Sequence, residues 1–309
     1  MGCTMNRRGF LASASGLAAA AAEEPKPSRI IDVHTHFYDP HRPQGVPWPG
    51  KSDPVLYQTT LPDRYLKIVE PLGVTGTIVV EASPWLEDNQ WVLDIARDNP
   101  IIVGLVGHVE TGKPDFKQNI DRFRKNRLFL GIRLGGGPVS AGVSNPAFVD
   151  DIKHLAKANL ELDALGDPTM FASLVRLSDQ VPKLRIVINH LPWDMPKEEA
   201  KRAEAQQALR ELGKRPQVYA KVSGVLRRIY GRVPEDADFY RASLDEIWEI
   251  FGIDRVIYAS NWPVSDLMAP YATVLKVVRE YFAAKGKEAV EKYFWKNSVA
   301  AYRWTERKG

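Results

Sequence analysis

From residue 29 onward, short apolar and β-branched runs alternate with longer stretches whose apolar positions recur every three to four residues. The short runs are "RIIDVHTH", "GVTGTIVVEAS", "IIVGLVGHVE", "LFLGIRLGGG", "LELDALG", "LRIVINH", "QVYAKVSG" and "RVIYASN". Between them, "DRYLKIVEPLG", "LEDNQWVLDIARDNP", "PDFKQNIDRFRKN", "AFVDDIKHLAKAN", "PTMFASLVRLSDQV", "KEEAKRAEAQQALRELGKR" and "FYRASLDEIWEIFG" carry helical spacing. Two more helices are expected around 268–285 and 287–303. Eight strands, each followed by a helix, require parallel pairing through crossovers and allow the sheet to close on itself. The expected fold is α/β, a (β/α)8 TIM barrel forming a single domain over 23–309 with an extra C-terminal helix. An open doubly wound sheet is the alternative, but no G-x-G-x-x-G follows the first strand.

The first residues do not fit this pattern. "NRRGFLASASGLAAAAAEEP" has paired Arg7 and Arg8, a weakly apolar Ala-rich middle and small residues up to Ala22, which is the layout of an export signal. Its Arg-Arg-x-Phe-Leu core resembles a twin-arginine signal, so residues 1–22 are expected to direct export to a periplasmic or extracellular location. Removing them takes the formal charge from +4 to +2 by loss of the two arginines, too little to imply a nucleic-acid or charged-membrane partner. Cys3, the one cysteine, leaves with them, which excludes a disulfide scaffold or thiolate metal site in the remainder. The expected partner is a small-molecule substrate, and oligomeric state is left open.

In a closed parallel barrel the functional end is where the strands finish at their C-termini. The expected strands finish on His34 and His36, Glu81, His108 and Glu110, Arg133, Asp163, His190, Lys221 and Ser223, and Asn261. Burial alone does not call for ionisable groups at every strand end. His34 and His36 stand two residues apart, and alternation along a strand would turn both rings to one face, as a pincer for a divalent metal or an anion. His190 alone reads as a hydrogen-bonded core histidine, but with the first two it makes a cluster. His108 and Glu110 read as loop residues, and Lys221 as one half of an ion pair with Glu81 or Asp163. Tyr38, Trp48, Trp85 and Trp262 fall in loops just after strands, where they either close over a ring-shaped substrate or pack loop on loop. Arg227 and Arg228 either attract an anion or are simply solvated.

"DVHTHFYDP", "GIRLGGG", "INHLP", "YAKVSG" and "YASNWP", in that order, resemble the amidohydrolase superfamily, in particular the amidohydrolase-related branch that includes sugar-acid and dicarboxylate lactonases. The resemblance implies that His34, His36 and His190 surround the reaction centre. It also implies that they hold Zn²⁺ or another divalent metal, although some lactonases of this branch work without a tightly held metal. Arg133, matching the family's G-[IV]-R strand, would hold a substrate carboxylate or carbonyl, with Glu81, Tyr38, Trp85 and Trp262 as further substrate contacts.

One position departs from the family. Its eighth strand usually ends in G-S-D-W-P, whereas this chain has Ala259-Ser260-Asn261-Trp262-Pro263. Asparagine is the same shape as aspartate but is no base near neutral pH. Three readings follow: hydrolysis of a small lactone or ester with a histidine, foremost His190, as base; metal-dependent decarboxylation; or a non-catalytic binding barrel. The first is preferred, with His34, His36, His190 and Asn261 as its catalytic set.

Overall fold

The protein was described from a computed structural model, which defines residues 1 and 24–307. The twin-arginine-like segment lies outside the described residues.

Eight parallel strands follow one another in sheet order: β1 Ile31–Thr35, β2 Gly76–Val80, β3 Ile102–Gly107, β4 Phe129–Gly135, β5 Glu161–Leu165, β6 Arg185–Leu191, β7 Val218–Val222 and β8 Val256–Tyr258. The helices are α1 Pro62–Val69, α2 Asp88–Asp98, α3 Phe116–Phe123, α4 Gly136–Gly142, α5 Pro146–Lys157, α6 Phe171–Gln180, α7 Glu199–Gly213, α8 Ala237–Phe251 and α9 Tyr271–Ala284. Helices α10 Lys287–Glu291 and α11 Asn297–Tyr302, joined by a π-helical turn at Lys292–Lys296, end the chain. This is the expected (β/α)8 barrel. α4 was not expected, because "GGPVSAG" carries neither helical periodicity nor a helix-forming composition. Among the described residues, no helix is long and apolar enough to cross a membrane.

The strands are apolar throughout because each is covered twice. Val33, Ile78, Val80, Val106, Leu130, Val187 and Ile257 pack together in one cluster, which Ala301, Tyr302 and Trp304 of the chain end also join. A second, larger cluster lies between strands and helices. The C-terminal helix therefore plugs the barrel: the Arg185 guanidinium, at the start of β6, donates to the Ala301 carbonyl at 2.6 Å, and the Tyr302 hydroxyl donates to Asp163 at 2.9 Å. Local signals set several helix starts, as in α5, where Asn145 caps the Ala147 N–H and Pro146 occupies the first turn.

The seam between β8 and β1 decides where the histidines sit. It is held by a bridge between Thr35 and Trp262, by the His36 N–H donating to the Trp262 carbonyl at 2.9 Å, and by Asp32. The buried Asp32 carboxylate accepts from the Ser260 N–H at 2.9 Å and the Ser260 hydroxyl at 2.6 Å. It also accepts from the Tyr65 and Tyr271 hydroxyls at 3.1 and 3.0 Å, and from the His34 N–H at 3.2 Å. Asp32 thus faces the residues of α1 and α9, and the β1–β2 register slips between Asp32 and Thr35.

Candidate active site

β1 ends at Thr35, so His36 lies one residue beyond it, and the β1–β2 register slips between Asp32 and Thr35. The two rings converge all the same. His34 Nε2 and His36 Nε2 are 3.2 Å apart, and the ring centres of His34 and His190 are 4.5 Å apart. Two imidazoles of the first strand end and one of the sixth, more than 150 residues on, meet at the C-terminal end of the strands.

Their protonation follows from their partners. The Val80 carbonyl can only accept, so the His36 Nδ1 that lies 2.9 Å from it carries the hydrogen, and His36 Nε2 presents a lone pair. The facing His34 Nε2 must then carry the hydrogen between them. His34 Nδ1 is left as a buried lone pair without a hydrogen-bond partner. Burial is the main cause that holds all three rings neutral. It drives His36 down to about 3, helped by Arg133, and pushes His34 and His190 well below the ordinary histidine value, helped by Lys221 and Arg133.

This has a measurable consequence. Between roughly pH 6.5 and 3 the unfolded chain protonates at position 36 and the folded chain does not, so acidification favours unfolding by about 1.4 kcal/mol per pH unit for that residue. In chelator-treated protein, His36→Gln is therefore expected to flatten the fall in stability between pH 6 and 4.5. Parallel stability curves for the two proteins over that range would contradict the assignment of a neutral buried His36.

Around the histidines, two ion pairs neutralise each other. Lys221 Nζ lies 2.5 Å from Asp163 Oδ2, with both side chains inaccessible to solvent. Burial lowers the lysine below its ordinary value even so. Arg133 donates Nε to Glu81 Oε1 and Nη2 to the Glu81 carbonyl, both at 2.8 Å. Its Nη1 makes no protein hydrogen bond among the described residues. Arg133 and Glu81 line a cavity of about 520 Å³ together with His108, Gly135, Asn145 and Phe148. Asn261, just past β8, adopts a left-handed backbone conformation, φ 61°, as does His190, and its side chain hydrogen-bonds His36. Single residues held there cost free energy, and asparagine tolerates the region better than most.

Of the substrate contacts expected from sequence, the structure buries Trp262 and Tyr38, which take the loop-packing alternative. Trp262 is wholly buried against Phe37 and Tyr65, because the seam draws it under the strand ends. Tyr38 is also buried. Its hydroxyl donates to the Leu56 carbonyl and its backbone pairs with Thr60, so it anchors the loop after β1. Trp85 lies against the Arg42 guanidinium, which Asp88 holds in a bidentate pair. Among the described residues, the tryptophan ring that meets a site histidine is Trp48, 5.6 Å from His36. Glu81 is engaged by Arg133, so it positions that guanidinium. His108 is a loop residue whose backbone is clasped by the Asn89 amide. Arg227 pairs with the Asp194 carboxylate at 3.2 Å and donates to the Pro192 and Gly224 carbonyls, and Arg228 donates to the Leu267 carbonyl, so both fasten the loop after β7.

The donor set fits a divalent metal only in part. Two nitrogens 3.2 Å apart match the roughly 3.3 Å expected between tetrahedral ligands about 2.05 Å from zinc, and His36 has the second hydrogen bond a ligand histidine needs. His34 lacks one. Asn261 replaces a charged ligand with a neutral one, and among the described residues no group of three or more His, Cys, Asp or Glu side chains stands in an arrangement that could hold a metal ion.

Ser223 had no assigned role in the sequence reading. Its Oγ shares a 2.9 Å hydrogen bond with His190 Nδ1. The backbones allow this contact because Gly224 has no side chain: a Cβ there would lie 2.1 Å from the His190 carbonyl oxygen. The only hint in the sequence was a serine-glycine pair at a strand end.

Comparison with known proteins agrees with this architecture. The family model described as Amidohydrolase matches residues 31–304. A protein named L-fucono-1,5-lactonase from Burkholderia ambifaria is 29% identical over 246 residues, covering 77% of this chain and 81% of its own. One of the same name from Burkholderia multivorans is 24% identical over 279 residues, covering 87% and 94%. The crystal structure of an amidohydrolase from Burkholderia multivorans with bound zinc superposes with a TM-score of 0.78 at 22% identity, covering 90% of this chain and 100% of that one.

Proposed function

Since this chain belongs to the amidohydrolase family, we propose that it hydrolyses a small lactone, of a sugar acid or a similarly carboxylated ring, at the C-terminal mouth of the barrel. The observation that carries this reading is the meeting of three neutral imidazoles beside a guanidinium with an uncommitted Nη1. Neutral imidazole is the form that takes a proton from an attacking oxygen, and a fixed guanidinium matches a carboxylate or a carbonyl gathering negative charge. His34 and His36 are turned toward each other, which leaves His190 as the base. The relatives named for a lactonase activity support the substrate class. Zinc in the related crystal structure supports a divalent ion in general terms, and His34, His36 and His190 are the residues that would hold it. Export rests on the sequence of residues 1–22 alone.

Protein lacking residues 1–22 is expected to release acid from at least one 1,5- or 1,4-lactone in a sugar-acid panel, followed with a pH indicator. A silent panel, both with and without added Zn²⁺ or Mn²⁺, would overturn the proposal. Asn261→Asp is expected to lower kcat/KM about tenfold, because it sets an anion beside His36 in the site where the lactone carbonyl oxygen gathers negative charge. A silent wild type together with an active Asn261→Asp would favour the non-catalytic reading that Asn261 raises.

A further inference from the structure

We propose that His108 is a specificity-determining residue: its imidazole hydrogen-bonds a hydroxyl of the substrate ring, away from the lactone carbonyl, in the cavity it shares with Arg133. The inference deepens the lactone reading and rests on it.

His108 is held more firmly than a surface loop requires. The buried Asn89 side chain accepts from its N–H at 2.9 Å and donates to its carbonyl at 2.7 Å. Gly107 makes room for that clasp, since a Cβ there would lie 2.2 Å from Asn89 Oδ1. Both backbone polar groups are thus fixed. Among the described residues, however, the imidazole has no hydrogen bond, ion pair or ring contact. The residue is partly exposed and borders the cavity of about 520 Å³. A clamped backbone that presents a ring without a protein partner leaves the two ring nitrogens for a ligand.

The position of His108 on the rim makes that ligand the substrate. Along the sheet from β1 to β4, the C-terminal ends carry His36, Glu81, His108 and Arg133 in turn. Glu81 directly follows Val80, whose carbonyl lies 2.9 Å from His36 Nδ1, and Arg133 donates to Glu81. The cavity therefore adjoins the histidine cluster, and a lactone with its carbonyl by the histidines extends its ring substituents toward His108. The lining combines apolar Leu134, Phe148 and Leu165 with polar Glu81, His108 and Arg133, which suits a ring with C–H faces and hydroxyl edges.

Charge at this place favours a hydroxyl. The Arg133 guanidinium is balanced by Glu81, and Glu110, which also borders the cavity, is paired with Lys113 at 3.3 Å. Among the described residues lining the cavity, no unbalanced cation remains to draw a carboxylate to His108. A neutral imidazole both donates and accepts, as a hydroxyl does.

The test uses the chain from residue 23 onward as wild type, His108→Ala and His108→Gln. Each is assayed with a hydroxylated hexono-1,5-lactone active in the panel and with its deoxy counterparts, each lacking one ring hydroxyl. For the full lactone, His108→Ala is expected to raise KM about tenfold, the loss of one hydrogen bond, with kcat changed less than about threefold. His108→Gln, which keeps a donor and an acceptor, is expected to recover part of that loss. For one deoxy lactone, wild type and His108→Ala are expected to share the same KM within about twofold, which identifies the hydroxyl. Binding of the matching hexono-1,5-lactam, which resists hydrolysis, is measured by calorimetry and is expected to weaken about tenfold in His108→Ala. An equal KM penalty on every lactone, or a KM for the full lactone within about twofold of wild type, would overturn the role of His108 and leave the lactone reading standing. A silent panel with lactam binding that still depends on His108 would overturn hydrolysis and support the subsite. With a silent panel, a lactam bound equally by wild type and His108→Ala, or by neither, would overturn the subsite as well.

Discussion

Asp32→Ala is expected to lower the free energy of unfolding by about 4 kcal/mol, measured from chemical denaturation midpoints. The carboxylate receives five hydrogen bonds, from Ser260 twice, Tyr65, Tyr271 and the His34 backbone. The Tyr271 and Ser260 hydroxyls also accept, from the Tyr258 hydroxyl and the Trp262 N–H, so they stay bonded as acceptors and can rotate, but lose the acceptor of their own hydrogen. The Ser260 and His34 N–H groups and the Tyr65 hydroxyl would be left facing an apolar methyl. Each buried polar group left unsatisfied costs about 1–3 kcal/mol, and partial relaxation trims the sum to the figure given. Asp32→Asn keeps the volume but turns an N–H₂ toward donors, so roughly half that loss is expected. Because the same carboxylate closes β8 onto β1 and fixes the His34 backbone, activity should fall together with stability. A loss below about 1 kcal/mol for Asp32→Ala would show that strand pairing alone holds the seam.

Lys221→Met is the second large effect. The substitution keeps the length of the side chain and removes the charge, leaving Asp163 inside the barrel with the Tyr302 hydroxyl, 2.9 Å away, still donating to it. Breaking one side of a buried ion pair costs about 3–5 kcal/mol, since the surviving charge stays desolvated. Lys221→Met with Asp163→Leu is expected to recover most of that loss, because replacing both partners removes the stranded charge. The double-mutant comparison therefore separates pair from packing. Should the double substitution be as unstable as Lys221→Met alone, the barrel interior at this level would be governed by shape and not by charge. Glu161 lies in the same interior with both oxygens unpartnered, and burial, reinforced by Asp163, pushes its carboxyl well above the ordinary value. A neutral Glu161 beside the pair explains how three ionisable side chains share one dry space.

Much of the architecture was legible because it depends on short-range pattern. Apolar runs of strand length alternating with helical periodicity suffice to place β1 to β8, and the closed parallel barrel follows from their number. The loop status of His108 and the Asp163 partner of Lys221 were also within reach. α4 was hidden, since its glycines carry no periodic signal and the helix is set by contact with its surroundings. The aromatic residues misled for a similar reason: Tyr38 and Trp262 sit in loops by sequence, yet the seam buries both, and Trp48 holds the contact with His36 instead.

By itself, the sequence determined the strand order, the barrel and the rim on which His34, His36, His190 and Asn261 collect, because strand ends in a closed sheet converge wherever the intervening chain goes. Only the tertiary structure decided the tautomers of the histidine pair, the pairing of Arg133 with Glu81, the Asp32 seam and the meeting of Ser223 with His190. Those depend on distances of a few tenths of an ångström between groups far apart in the chain. Hydrogen bonding and burial are steep functions of such distances, and no local pattern of residues encodes them.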